Sequence, residues 1–75
     1  MSSAQTVPVT GGAIRLGQLL KLAGAADSGA QARALLDEGE VQVNGELEQR
    51  RGRQLVTGDV VTVATPAGDH VFVVG

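Results

Sequence analysis

The stretch SGAQARALLDEGEVQVNGELEQRRGR, residues 28–53, contains the signals that decide the fold of this 75-residue chain. Ser28 is followed three residues later by Gln31, which is typical of a capping box: the Ser28 hydroxyl accepts from the Gln31 amide, and the Gln31 side chain accepts from the Ser28 amide. A helix over about 29–38 is predicted after this cap, and Gly39 can adopt the left-handed conformation that ends it. The residues that this helix would bury are Ala32, Leu35 and Leu36.

Beyond this helix the pattern changes to that of β-strands. Val41 and Val43 alternate with polar residues, which predicts a strand with one buried face. Asn44 and Gly45 tolerate the positive backbone angles of a two-residue hairpin turn. A second strand is therefore expected to start near Glu46.

The C-terminal part of the chain predicts two more strands, over 60–64 and 70–74. Turn residues precede each of them, at 58–59 and at 66–69. Joined to the first hairpin, these strands predict a small antiparallel β-sheet.

The residues before the capping box predict another helix, with an apolar stripe that starts at Leu16 and continues at i+3, i+4 and i+7. Gly24 is expected to end it. Only residues 24–28 join the two helices, so they should form a tight helical hairpin. The predicted fold class is α+β, a two-helix hairpin packed on a small antiparallel sheet.

Residues 1–13 are polar and rich in glycine. They are expected to be flexible apart from a short strand at 6–9, which Pro8 would restrict to the edge of a sheet. Residues 14–75 are expected to form a single domain.

Composition narrows the possible functions. Among Phe, Trp and Tyr the chain has only Phe72, which weakens any mechanism that stacks bases on aromatic rings. The absence of cysteine excludes disulfides and zinc ribbons. The N-terminus lacks a basic segment followed by an apolar run, and no stretch approaches the ~20 apolar residues that span a bilayer, so a cytoplasmic protein without a membrane partner is expected.

The formal net charge of -2 argues mildly against a nucleic-acid partner, but the charges are segregated along the chain. Residues 36–48 hold five acidic and no basic residues, whereas residues 49–55 hold three arginines and no acidic residue. The net charge therefore averages over separate patches.

Catalysis finds little support in the residues. His70 is the only histidine and lies beside Asp69 in a predicted turn, which is too little for a metal site or for a nucleophile and base pair. The chain also lacks a phosphate-binding loop motif. We expect a protein that is not an enzyme and that has no cofactor or metal.

The strongest candidates for function are Arg50, Arg51 and Arg53, whose guanidinium groups can bind phosphate oxygens in a planar, bidentate geometry. The alternative is a solvated turn in which these arginines pair with Glu46 and Glu48.

The other polar candidates have structural interpretations of comparable weight. Lys21 and Gln18 lie away from the leucine stripe of the first helix, and Arg15 flanks that helix. Arg33 is spaced for an i, i+4 pair with Asp37. Ser28 is a helix cap before it is a ligand, although helix N-termini also receive phosphates, and Asn44 is first a turn residue. These residues gain weight if the helical hairpin and the arginines share one face.

The order of these signals resembles the S-four RNA-binding domain, also called the αL motif, and its small free-standing bacterial members in particular. The family pattern is a helix, a second helix that starts with serine and contains an alanine and a hydrophobic pair, then Gly-x-Val-x-Val-Asn-Gly and a later Gly-Asp-x-Val. The matching residues here are Ser28, Ala32, Leu35, Leu36, Gly39, Val41, Val43, Asn44, Gly45, Gly58, Asp59 and Val61. The match covers about residues 14–64.

The resemblance implies binding of structured RNA, ribosomal or transfer RNA, by phosphate and shape contacts from the two-helix face and the arginine loop. It also implies a monomer, with ribosome-associated or RNA-modifying proteins as partners. One departure is Gly29-Ala30, where many members have a basic residue after the serine. The implied RNA-binding residues are Arg15, Lys21, Ser28, Gln31, Arg33, Arg50, Arg51 and Arg53.

Two other classes of function remain open at this point. A β-grasp sulfur-carrier protein also favours a Val-Asn-Gly turn and a C-terminal glycine, but it places a β-hairpin before its helix. A protein-interaction adaptor could use the five acidic residues between Asp37 and Glu48, which could equally keep RNA on one side of the domain by repulsion.

Overall fold

The computed structural model describes residues 4–75, and two helices are set between short strands. In chain order the strands and helices are β1 (Gln5–Val7), β2 (Ala13–Arg15), α1 (Leu16–Leu22), α2 (Gly29–Asp37), β3 (Val41–Val43), β4 (Glu46–Leu47), β5 (Gln54–Val56), β6 (Val60–Thr65) and β7 (Gly68–Val74). A single 3-10 turn at Thr10–Gly12 separates β1 from β2. The predicted α+β class and the order of helical hairpin and β-hairpin are confirmed.

The main sheet has five strands in the order β1-β7-β6-β3-β4. All its pairs are antiparallel except β1 with β7. The antiparallel sheet predicted for the C-terminal strands is therefore confirmed, and β1 adds a parallel edge whose orientation the sequence did not predict. The edge strand lies at Gln5–Val7, so it starts one residue earlier and ends two residues earlier than predicted. Pro8 follows it, where its missing amide costs no ladder hydrogen bond. Residues 1–3 of the segment predicted to be flexible lie outside the described residues.

A second sheet, which the sequence pattern did not predict, joins β2 to β5. Arg15 pairs with Gln54 and Ala13 with Val56. Each of these strands has only one residue that is at least half-buried, Ile14 or Leu55, so neither shows the repeated apolar residue that Val41 and Val43 give β3. This small sheet holds the residues before α1 beside the residues that follow the arginine segment.

Both helices end and begin where the sequence predicts. Gly24 and Gly39 have φ values of +80° and +71°, and the Gln31 amide donates to Ser28 Oγ at 3.2 Å. The second half of the predicted capping box was wrong, because Gln31 Oε1 accepts from the Asp27 amide at 2.6 Å and not from Ser28. The Gln31 side chain thus accepts from the amide of the residue before Ser28, and this hydrogen bond fixes the backbone at the beginning of α2.

The core lies between the helical hairpin and one face of the main sheet. Leu35, predicted to be buried, is only half-buried at the edge of this core. Within residues 4–75, neither helix is long and apolar enough to cross a membrane. The fully buried large side chains are Leu16, Leu19, Leu20, Leu36, Val41, Val43, Leu55, Val61, Val63 and Val74.

The strand order removes the β-grasp alternative. A β-hairpin before the helices is required by that fold, but β1 and β2 pair with β7 and β5 and not with each other. The Gly75 amide donates to the Val7 carbonyl at 2.8 Å, and the Gly75 carbonyl accepts from the Val9 amide at 3.4 Å. Gly75 is therefore held along β1 rather than extended as a reactive tail.

The turn between β3 and β4 is tied to the turn before β6. Asn44 and Gly45 have φ values of +53° and +84°, as the two-residue turn requires. Asn44 Nδ2 donates to Asp59 Oδ1 at 3.1 Å, and Asn44 Oδ1 accepts from the Val60 amide at 2.9 Å. Asp59 Oδ2 in turn accepts from the Val56 amide at 2.9 Å. Asn44 is thus a structural residue that aligns β3, β5 and β6.

Replacing Asn44 should destabilise the fold in two separable steps. Asn44→Gly keeps the positive φ accessible and loses only the side-chain hydrogen bonds, so the free energy of unfolding should fall by about 1 kcal/mol. Asn44→Ala also strains the turn and should cost about 2 kcal/mol. Urea unfolding of both variants checks this order, and an alanine variant as stable as the glycine variant would contradict it.

Candidate nucleic-acid interface

The arginine segment is attached to the beginning of α1 by its backbone. The Leu16 amide donates to the Arg53 carbonyl at 2.9 Å, and the Gly17 amide donates to the Arg51 carbonyl at 3.0 Å. The first amides of a helix have no partner within the helix, so these two carbonyls satisfy two of them. The beginning of α1 and the arginine segment therefore share one face, so the condition set for the weaker candidates is met for those at α1.

Gly17 allows a close approach between helix and segment. A Cβ atom at this position would lie 3.0 Å from Arg51 Cγ and 3.5 Å from the Arg51 carbonyl oxygen. Since glycine has no side chain, the Arg51 side chain can lie against the first turn of α1. Arg51 is thereby placed beside the polar side of that helix.

A shallow groove of about 250 Å³ lies at this junction. Three cationic side chains converge on it, and among residues 4–75 none of the three has a carboxylate oxygen within 4.0 Å. Gathering like charges without counter-charges is unfavourable, and a bound anion would relieve the repulsion. The lining residues are Arg15, Gly17, Gln18, Lys21, Arg51 and Gly52.

Glu48 binds the side chains of Arg50 and Arg53 but not that of Arg51. Its side chain is only 7% exposed. Oε2 accepts from the Arg50 amide at 3.1 Å and from Arg50 Nε at 3.2 Å, and Oε1 accepts from Arg53 Nη1 at 2.9 Å. The interpretation of a paired turn is thus right for Arg50 and Arg53, although within the described residues Glu48 alone, and not Glu46, is the partner.

The hydrogen bonds from Arg50, and then those from Arg53, lower the pKa of Glu48 to about 2. The same contact raises the pKa of Arg50, although the side chain of this arginine remains 79% exposed. Arg53 is 30% exposed and donates one hydrogen bond, at 2.9 Å, to the carboxylate. Arg50 can still present part of its guanidinium to a ligand, but two of the segment's three arginines share the carboxylate of Glu48.

The three remaining predicted residues belong to α2 and do not line the groove. Ser28 and Gln31 act in the helix cap, and both are exposed. Arg33 pairs with Asp37 at 3.7 Å on the exposed surface of the helix. Of the eight predicted residues, the structure therefore brings together Arg15, Lys21 and Arg51. Arg50 and Arg53 lie one and two residues from Arg51 in the sequence.

Sequence reasoning did not select Gln18, Gly17 or Gly52 as site residues. Gln18 could have been selected from its spacing, because polar residues occur every three positions, at Arg15, Gln18 and Lys21, on the side of α1 away from the leucine stripe. Gly17 had none, since its role depends on the approach of a segment more than thirty residues away.

Acid should weaken the fold through Glu48. The folded-state pKa of about 2 lies below the ordinary value of 4.5, so the ionised carboxylate contributes stability that is complete above about pH 5 and is lost as pH falls towards 2. Glu48→Gln should therefore lower the free energy of unfolding at neutral pH by about 1 to 3 kcal/mol and reduce its fall between pH 5 and 3.

Urea unfolding at several pH values checks this prediction. The pKa of Asp59 is also lowered, mainly by the Val56 amide and then by Asn44. In the variant the free energy of unfolding should therefore still fall in acid, but less steeply than in the wild type. A Glu48→Gln protein whose stability falls as steeply as that of the wild type would contradict the assignment to Glu48.

Comparison with known proteins shows the family of the chain. A family model described as "S4 domain" matches residues 7–74. "Probable ribosome maturation protein RlbA" of Bacillus subtilis is 54% identical over 50 residues, which cover 67% of this chain and 70% of that protein. "Putative RNA-binding protein YbcJ" of Escherichia coli is 43% identical over 51 residues, which cover 68% of this chain and 73% of that protein.

A ribosomal protein matches a shorter region. "Small ribosomal subunit protein uS4m" of Schizosaccharomyces pombe is 55% identical over 38 residues, which cover 51% of this chain and 12% of that protein. The family model spans most of the chain, and the two bacterial relatives are small proteins of which more than two thirds is matched. The chain therefore belongs to the S-four domain family, as its motifs implied.

Proposed function

We propose that this protein binds structured RNA through the groove at the beginning of α1, mainly by contacts to phosphate groups. The observation that carries the proposal is the convergence of Arg15, Lys21 and Arg51, none of which has a carboxylate partner within residues 4–75. Two guanidinium groups and one ammonium group can hold neighbouring phosphates, and Gln18 adds a neutral amide that can bond a 2′-hydroxyl.

Arg51 is the principal contact from the arginine segment. It is the one arginine of the segment that Glu48 does not bind, and its backbone is bonded to α1. Arg50 is proposed as a secondary contact at the rim, because its exposed guanidinium shares its charge with Glu48. Arg53 is proposed to act mainly within the protein.

Recognition is proposed to depend on backbone and shape rather than on base stacking. Phe72 is the only Phe, Trp or Tyr of the chain, and it is 3% exposed within the core. Double-stranded and folded RNA can be gripped through phosphates and 2′-hydroxyls without aromatic platforms, whereas single-stranded RNA is usually bound by stacking. We therefore propose a helical or folded RNA segment as the target.

Ribosomal RNA is proposed as the first target to test and transfer RNA as the second. The names of two relatives refer to the ribosome, one to its maturation and one to its small subunit. The proposed role is binding and not catalysis. Ribosome-associated or RNA-modifying proteins are the proposed protein partners.

Fluorescence anisotropy with a ribosomal hairpin RNA tests the groove. Arg15→Ala, Lys21→Ala and Arg51→Ala should each weaken binding about 5- to 20-fold and should reduce the salt slope, expected near -2 to -3 for three phosphates, by about 1. Arg33→Ala is the matched control, because it removes the same charge from a pair outside the groove and should weaken binding less than threefold or so.

Two results would contradict the proposed site. One is an affinity for hairpin RNA that does not depend on salt. The other is a loss in Arg33→Ala as large as the loss in Arg51→Ala, which would place the RNA on α2 instead. Tighter binding to single-stranded RNA of the same length would contradict the proposed preference for folded RNA.

A further inference from the structure

We propose that Glu48 is a positioning residue for RNA binding: its buried carboxylate holds residues 49–53 in the conformation that presents Arg51 to the groove. This inference rests on the proposed function. It assigns a favourable role to an acidic residue that binds two arginines of the segment, where simple electrostatics would assign an unfavourable one.

The first step of the argument is that Glu48 is itself anchored. The Glu48 amide donates to the Val41 carbonyl at 3.1 Å, which continues the pairing of β3 with β4 by one residue. The carboxylate therefore starts from a fixed position at the edge of the main sheet. Its burial, beside a chain of exposed neighbours, shows that the segment folds around it.

The second step is that both carboxylate oxygens of Glu48 accept hydrogen bonds from several residues of the segment. Oε2 accepts from the amides of Gln49 and Arg50, each at 3.1 Å. Oε1 accepts from Arg53 Nη1 and, at 3.3 Å, from Arg50 Nη2. A carboxylate that accepts several charged and backbone donors makes strong hydrogen bonds, and here they join the beginning of the segment to its end.

The third step is the position of Arg51 between these attachment points. The segment is closed by the Arg53 amide, which donates to the Arg50 carbonyl at 3.3 Å, and it is fixed to α1 by the carbonyls of Arg51 and Arg53. Arg51 thus lies at the middle of a turn whose two ends are held by Glu48. Its side chain lies across Gly17 and lines the groove.

The electrostatic effect and the positioning effect have opposite signs. Removing a negative charge close to the groove should strengthen binding of an anion if charge alone matters. If Glu48 positions the segment, its removal leaves a mobile turn that must be ordered when RNA binds, which weakens binding. Arg53, only 30% exposed, would also lose its counter-charge and would have to move towards water.

The chain offers a matched control in Glu46. This residue lies two positions earlier on β4, is exposed, and among the described residues has no basic group within 4.0 Å. Glu46→Gln and Glu48→Gln change the net charge equally. Positioning predicts that Glu48→Gln weakens hairpin RNA binding by roughly fivefold or more, whereas Glu46→Gln leaves it unchanged or slightly tighter.

Two further measurements separate positioning from general destabilisation. All proteins are assayed under conditions in which their unfolding curves show them to be folded. Arg51→Ala should weaken binding less in the Glu48→Gln background than in the wild type, because Arg51 is already displaced there. Amide hydrogen exchange at Leu16 and Gly17, whose acceptors are the segment's carbonyls, should become faster in Glu48→Gln and not in Glu46→Gln.

The outcomes distinguish the two proposals. If Glu48→Gln binds hairpin RNA as tightly as Glu46→Gln, or if the Leu16 and Gly17 amides exchange at the wild-type rate in Glu48→Gln, the positioning role is overturned and the proposed RNA binding stands. If the wild-type protein binds no hairpin RNA, the proposed function is overturned and the positioning role with it.

Discussion

Two backbone hydrogen bonds hold the candidate site together: the amides of Leu16 and Gly17 donate to the carbonyls of Arg53 and Arg51. They join the first helix to a segment that follows the β3–β4 hairpin, so residues far apart in sequence become neighbours. The net charge of -2 then says little about the groove, because three cations line it and, among the described residues, no acidic residue does. Backbone geometry, more than charge content, creates the cationic surface.

The three arginines of the segment show why counting charges is a poor guide to a binding site. One buried carboxylate binds two of them, and the remaining one lies against a glycine in the first turn of α1. An ion pair at an exposed site contributes little to stability, but a carboxylate that also accepts backbone amides can fix the shape of a turn. The arginines therefore have different roles despite their similar positions in the sequence.

The local part of the fold could be predicted from sequence, and the long-range part could not. The Ser28 cap, the glycines that end both helices and the Asn44-Gly45 turn are decided by neighbouring residues, and they lie where their patterns indicate. The β2–β5 pair, the parallel edge strand, the burial of Glu48 and the role of Gly17 depend on contacts between distant segments. The groove belongs to this second group. The sequence could therefore predict its cationic residues as candidates but could not exclude Arg33, Ser28 and Gln31, which lie outside it.

The parallel edge strand has a consequence for the order of folding. Gln5 pairs with Phe72, so β1 has no partner until nearly all of these residues have been synthesised. The helices, the β2–β5 pair and the arginine segment all lie between residues 13 and 56. Pairings between residues distant in sequence require closure of a long loop, so we expect the addition of β1 to be a late step in folding.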